Sequence, residues 1–186
     1  MKKGTIILCL VCLMLAIMSC GNNAASLEGG IDVPEITVGS DSITSDGKLL
    51  TACAADKAPN DPRGANQSPQ LSWDAVDGAG CYAAVMFDED ASWLHFLVTD
   101  IEQTSLEQGA YTSTDVYVGP YPPKTAGRHN YRIEVFALKQ APDEAAGKMD
   151  AVNQYAGIID ALDAPGDNIL ARGHVVGTYA NGDDTV

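Results

Sequence analysis

The chain has 186 residues, 46% of them hydrophobic, which is the length and content of one ordinary globular domain. Its 25 acidic residues outnumber 11 lysines and arginines, for a formal charge of −14. That excess repels nucleic-acid backbones and anionic lipid head groups, so neither nucleic acid nor broad docking on a membrane surface suits the chain.

At the N-terminus, Lys2-Lys3, an apolar run from Thr5 to Met18 and the small residues Ser19-Cys20-Gly21 read as a secretory leader with its cleavage site. The run is short for a spanning helix, which needs about 20 residues. Cys20 stands where bacterial lipoprotein signals place the lipidated cysteine, and the junction resembles such a site. Residues 1–19 are therefore expected to be a lipoprotein signal peptide. Residues 20–30, which lack an apolar period, are expected to be a tether behind a lipidated Cys20. The mature chain would be held at the extracytoplasmic face of a bacterial membrane. Loss of Lys2 and Lys3 would take its charge to −16. Cys9 and Cys12 leave with the leader, so Cys53 and Cys81 remain, either as a disulfide or as two buried thiols.

The domain proper, residues 31–186, is patterned mostly as strands. Short β-branched and aromatic runs at Ile31 to Val38, Lys48 to Ala54, Gln70 to Trp73, Cys81 to Phe87, Leu94 to Val98, Tyr131 to Leu138 and His174 to Tyr179 are separated by Gly, Pro, Asn and Asp clusters. From Asp143 to Leu162 the period changes. Met149, Val152, Ala156 and Ile159 recur at spacings of three and four, which predicts a surface helix ended by Pro165-Gly166. A brief helical turn is expected at Asn168 to Arg172.

The polar residues that stand out lie at strand ends. Asp88 and Asp90, two apart, would share a face of an extended segment, as would His95 with Leu97 and His129 with Tyr131. Between them runs Tyr117-Val118-Gly119-Pro120-Tyr121-Pro122-Pro123, a loop stiffened by proline in which Gly119 frees the backbone and from which N–H groups can aim into a cavity. Imidazoles beside carboxylates are readily protonated, and with backbone N–H groups they suit a small anion. An Asp/His metal site is the weaker reading, because no His-x-x-x-His pair and no clustered cysteines occur. His174, Trp73 and Trp93 are read as packing or surface residues without a role in the site.

These clusters, preceded by Asn66-Gln67-Ser68-Pro69-Gln70-Leu71-Ser72-Trp73 and followed by Ile169-Leu170-Ala171-Arg172 and Gly177-Thr178-Tyr179, resemble the phosphatidylethanolamine-binding protein family, also called Raf-kinase-inhibitor-like proteins. The resemblance implies a mainly β fold, an antiparallel β-sandwich with one or two peripheral helices. It also implies a ligand site at Asp88, Asp90, His95, Gly119, Tyr121, Pro122, His129 and Tyr131, with no cofactor and no metal. The implied function is binding or regulation rather than catalysis, with a pocket for phosphate or phosphoethanolamine-like groups. The alternatives are inhibition of a protease through surface contacts and, further off, hydrolysis of a phosphoester, for which no nucleophile beside a base is evident. The sequence departs from the family pattern in four places: Glu89 and Ser92 stand where prolines are usual, Tyr121 stands in the Gly/Pro loop, Asn130 replaces a frequent arginine, and nothing after Tyr179 matches the closing C-terminal helix of eukaryotic members.

Overall fold

A computed structural model describes residues 31–143, 147–149, 151–164 and 166–186. The leader, Cys20 and the tether lie outside the described residues. Seven strands and one helix follow in order: β1 (Val38–Gly39), β2 (Leu71–Trp73), β3 (Cys81–Asp88), β4 (Trp93–Ile101), β5 (Ser105–Leu106), β6 (Arg128–Leu138), α1 (Tyr155–Leu162) and β7 (Ile169–Ala180). They form a small antiparallel sheet ordered β1-β2-β5 and a larger one ordered β4-β3-β6-β7.

The larger sheet follows from β3, in which all eight residues are buried. A strand that is apolar on both sides must be covered on both. Tyr82, Ala84 and Met86 face the small sheet and join Leu71, Trp73 and Leu106 in the core between the sheets, where Trp73 meets Tyr82 edge-on at 5.5 Å. Cys81, Ala83, Val85 and Phe87 face the other way and are covered by Tyr155, Ile158, Ile159 and Leu162 of α1. The result is the expected mainly β sandwich, with a single α-helix on its outer face.

Four local expectations change. The helix starts at Tyr155 rather than Asp143, because residues 151–153 lie along β4 instead: Leu94 N–H donates to Ala151 O, Asn153 N–H donates to Ser92 O, and Val152 is exposed. The turn expected at Asn168 to Arg172 is the start of β7, which pairs with the far end of β6 (Ala137↔Ala171). The Lys48 to Ala54 run is no strand and holds a 3-10 turn at Thr51–Cys53. Of Ile31 to Val38 only Val38 enters a strand, while Glu35 makes a parallel bridge to Arg172. Cys53 and Cys81 are free and buried: Cys81 packs under α1, and Cys53 sits in the 3-10 turn, where burial pushes its thiol up to about 11.

Phe87, 2% exposed and edge-on to Tyr155 at 5.2 Å, ties α1 to β3. Phe87→Ala is expected to cost about 3–5 kcal/mol in urea denaturation, with far-UV dichroism showing the strands retained.

Candidate functional site

At one end of the sandwich the face of β3 and β6 that lines the inter-sheet core turns polar. Asp88 closes β3 opposite Tyr131, and His129 lies two residues before Tyr131 on the same face. His95 joins them from β4 through an irregularity in the pairing. Met86 pairs with Phe96 and Phe87 with Leu94, so His95 is the extra residue of a bulge. The expectation that His95 and Leu97 share a face therefore fails. Leu97 packs toward α1, whereas the His95 ring stands edge-on to Tyr131 at 5.3 Å.

These groups border a cavity of about 750 Å³, whose wall also includes Ala58, Pro59, Ala91, Trp93, Tyr121, Pro122, Pro123, Lys124 and Ala126. Of the expected residues, Asp88, His95, Tyr121, Pro122, His129 and Tyr131 are brought together here, and Asp90 and Gly119 are not on the wall.

Asp90 belongs to the turn after β3 rather than to the strand, and its Oδ2 accepts from Asn130 N–H at 2.7 Å and Asn130 Nδ2 at 3.2 Å. The turn itself is organised by Asp88, whose Oδ1 accepts from the N–H groups of Asp90 and Ala91, both at 2.9 Å. The reversal is thus held by a side chain that bonds the backbone ahead of it. Ser92 at φ 53° completes the reversal.

Gly119 is required by space, not by its φ. A Cβ there would lie 2.3 Å from Cys53 O, because the loop runs directly against residues 53–55. Its N–H donates to Asn66 Oδ1 at 2.9 Å, and prolines at 120, 122 and 123 have no N–H, so the loop does not supply the expected row of donors. Asn60, buried, donates to Ala55 O and Pro120 O, and Tyr117 Oη donates to Cys53 O at 2.6 Å. The 55–66 segment thus sets the loop and places Ala58 and Pro59 on the wall, contributions no periodicity could have shown. The only sequence signal there is the pair of prolines, Pro59 and Pro62.

The polar floor is closely bonded. His129 Nδ1 lies 2.6 Å from Asp88 Oδ2, and His95 Nδ1 lies 2.6 Å from Val118 O. Both acceptors carry no proton to give, so each ring carries its proton on Nδ1. Tyr131 is fully buried, its hydroxyl makes no well-formed hydrogen bond among the described residues, and burial, then the Asp88 charge, pushes its phenol far above the usual range. Trp93, expected to be packing alone, stands on the wall edge-on to Tyr121 at 5.8 Å, with its indole nitrogen buried and without a hydrogen-bond partner among the described residues. Lys57 Nζ sits 3.6 Å from the centre of the Tyr121 ring.

One oxygen each from Asp88 and Asp90 and one nitrogen of His129 lie within 4.8 Å of one another, a spacing a metal ion could use. Both oxygens of Asp88 and Oδ2 of Asp90 already accept from N–H groups, so an ion would compete with those bonds.

Comparison with known proteins agrees with this fold. The phosphatidylethanolamine-binding protein family model matches residues 39–180. The chain belongs to that family. Its members are in general non-catalytic proteins that bind small ligands such as phospholipid head groups. The chain is 30% identical over 140 residues to a UPF0098 protein of Methanothermobacter thermautotrophicus, covering 64% of this chain and 86% of that one. In fold it is similar to YbcL of Escherichia coli, described as a new member of the mammalian family, with a TM-score of 0.60, 23% identity, and coverage of 78% and 98% of the two chains. A family homologue from Chlamydia trachomatis gives a TM-score of 0.58 at 19% identity, covering 78% and 97%. Thr185 N–H donates to Thr51 Oγ1 and Thr185 Oγ1 donates to Leu49 O, and no described residue after Tyr131 lines the cavity.

The imidazole assignment is open to direct measurement. Long-range proton–nitrogen spectra at neutral pH are expected to show His95 and His129 with the proton on Nδ1. In Asp88→Asn, His129 is expected to lose that preference while His95 keeps it.

Proposed function

We propose that the chain is a lipid-anchored, extracytoplasmic binding protein whose pocket takes a small anion, phosphate or a phosphoethanolamine-like group. The observation that carries the reading is the pair of imidazoles held through Nδ1 at the floor of a cavity walled by proline, alanine and aromatic rings together with Asp88 and Lys124. Lys124 adds a positive charge on the wall, and Asp88, paired with His129, orients that ring. No serine, threonine or cysteine lines the cavity among the described residues, which argues against phosphoester hydrolysis through such a nucleophile.

Titration calorimetry of the detergent-solubilised chain with phosphate and phosphoethanolamine is expected to show saturable binding. A His95→Ala, His129→Ala double variant is expected to show none. Absence of binding by the unaltered protein would sink the pocket reading and move the search to a protein partner such as a surface protease.

The anchor is tested separately. Metabolic labelling with a clickable fatty acid is expected to mark the chain, and Cys20→Ser is expected to abolish the label and release soluble protein. Retention of the unlabelled variant in the membrane fraction would point to an uncleaved leader.

A further inference from the structure

The outer face of the four-stranded sheet carries a second charged cluster that shares no residue with the pocket. Glu134 of β6 is only 2% exposed. Tyr155 Oη donates to its Oε2 at 2.7 Å, while Arg132 and Arg172 approach the carboxylate at 3.7 and 3.6 Å, beyond hydrogen-bond length. Glu134 Oε1 and Arg132 Nε are buried with no hydrogen-bond partner among the described residues. A buried carboxylate is costly unless its lone pairs are matched, and buried donors and acceptors are nearly always matched by protein or by something bound. Both residues border a cleft of about 230 Å³, completed by Val33, Glu35, Arg172, Gly173 and His174.

The charges around the cleft restrict its occupant. An anion alone would meet Glu134 and Glu35, and a cation alone would meet two guanidinium groups. A ligand that satisfies both unmet atoms donates to Glu134 Oε1 and accepts from Arg132 Nε. We propose that the cleft binds a small zwitterion of the α-amino-acid type, its ammonium on Glu134 and its carboxylate on Arg132, with Val33 beside its side chain. At roughly 30 Å³ per water the cleft holds the volume of about eight waters, which suits a small amino acid and excludes a folded peptide. The inference does not depend on what fills the pocket on the other side of the sheet.

Calorimetric titration of the full chain in detergent with glycine, alanine and serine tests it, with acetate and ethylammonium as the two halves of the ligand. At least one amino acid is expected to bind saturably, about tenfold or more tightly than either half. Glu134→Gln is expected to weaken that binding about tenfold. Val33→Phe, which fills the cleft from its rim and leaves the ion pairs in place, is expected to abolish it without lowering the melting temperature and without changing the response to inorganic phosphate. No saturable binding of any of the three at about 10 mM would overturn the proposal and leave the cleft to ordered water. Acetate or ethylammonium binding as tightly as the amino acid, or binding that survives Val33→Phe, would overturn it equally.

Discussion

The constraint on which the rest depends is that β3 has no face left for solvent. Its alternate side chains must be covered by the small sheet on one side and by α1 on the other, which fixes the layer order and makes β3 the inner partner of both β4 and β6. Where that strand ends, at Asp88, the apolar core ends too. The polar groups of β4 and β6 at the same level then face each other across the opening of the inter-sheet layer.

The site is built by commitment of hydrogen bonds rather than by free donors. Asp88 serves a turn through one oxygen and an imidazole through the other, so the same carboxylate shapes the β3–β4 reversal and fixes the tautomer of His129. The Gly/Pro loop contributes shape. Its glycine is there so that two backbones can touch, and its carbonyls at 118 and 120 accept from His95 and from the buried Asn60. The wall is otherwise apolar apart from Lys124, the Trp93 indole N–H and the Tyr131 phenol.

Much of this was legible in the sequence because short-range patterns carry it. The β3 run, the Asp-x-Asp cluster, the two histidines and the proline loop each follow from local composition, and their order on the chain pointed to the family. The rest depends on contacts between distant residues. The His95 bulge breaks the two-residue alternation on which the assignment of faces rests, and nothing within the strand announces it. Asp90 leaves the wall because Asn130, from another strand, claims its oxygen. Trp93, Pro59 and Lys124 reach the cavity only through tertiary placement, since a tryptophan at a strand start and a proline in a polar loop are equally at home elsewhere. The predicted helix was too long because Val152 fits a helical period as well as the extended bridge to Trp93 that it makes.

The pairing of β3 with β6 also carries a kinetic consequence. It joins Asp88 to Tyr131 and Cys81 to Leu138, across a stretch of chain that holds β4, β5 and the proline loop. Closing so long a loop loses much chain entropy before any contact compensates, so such pairings form late and slowly. Until it closes, β3 is a fully apolar strand with one open edge, the kind of segment that joins itself to other chains. The same pairing brings the Asp88 carboxylate to His129. Completion of the site and burial of this strand are therefore one event.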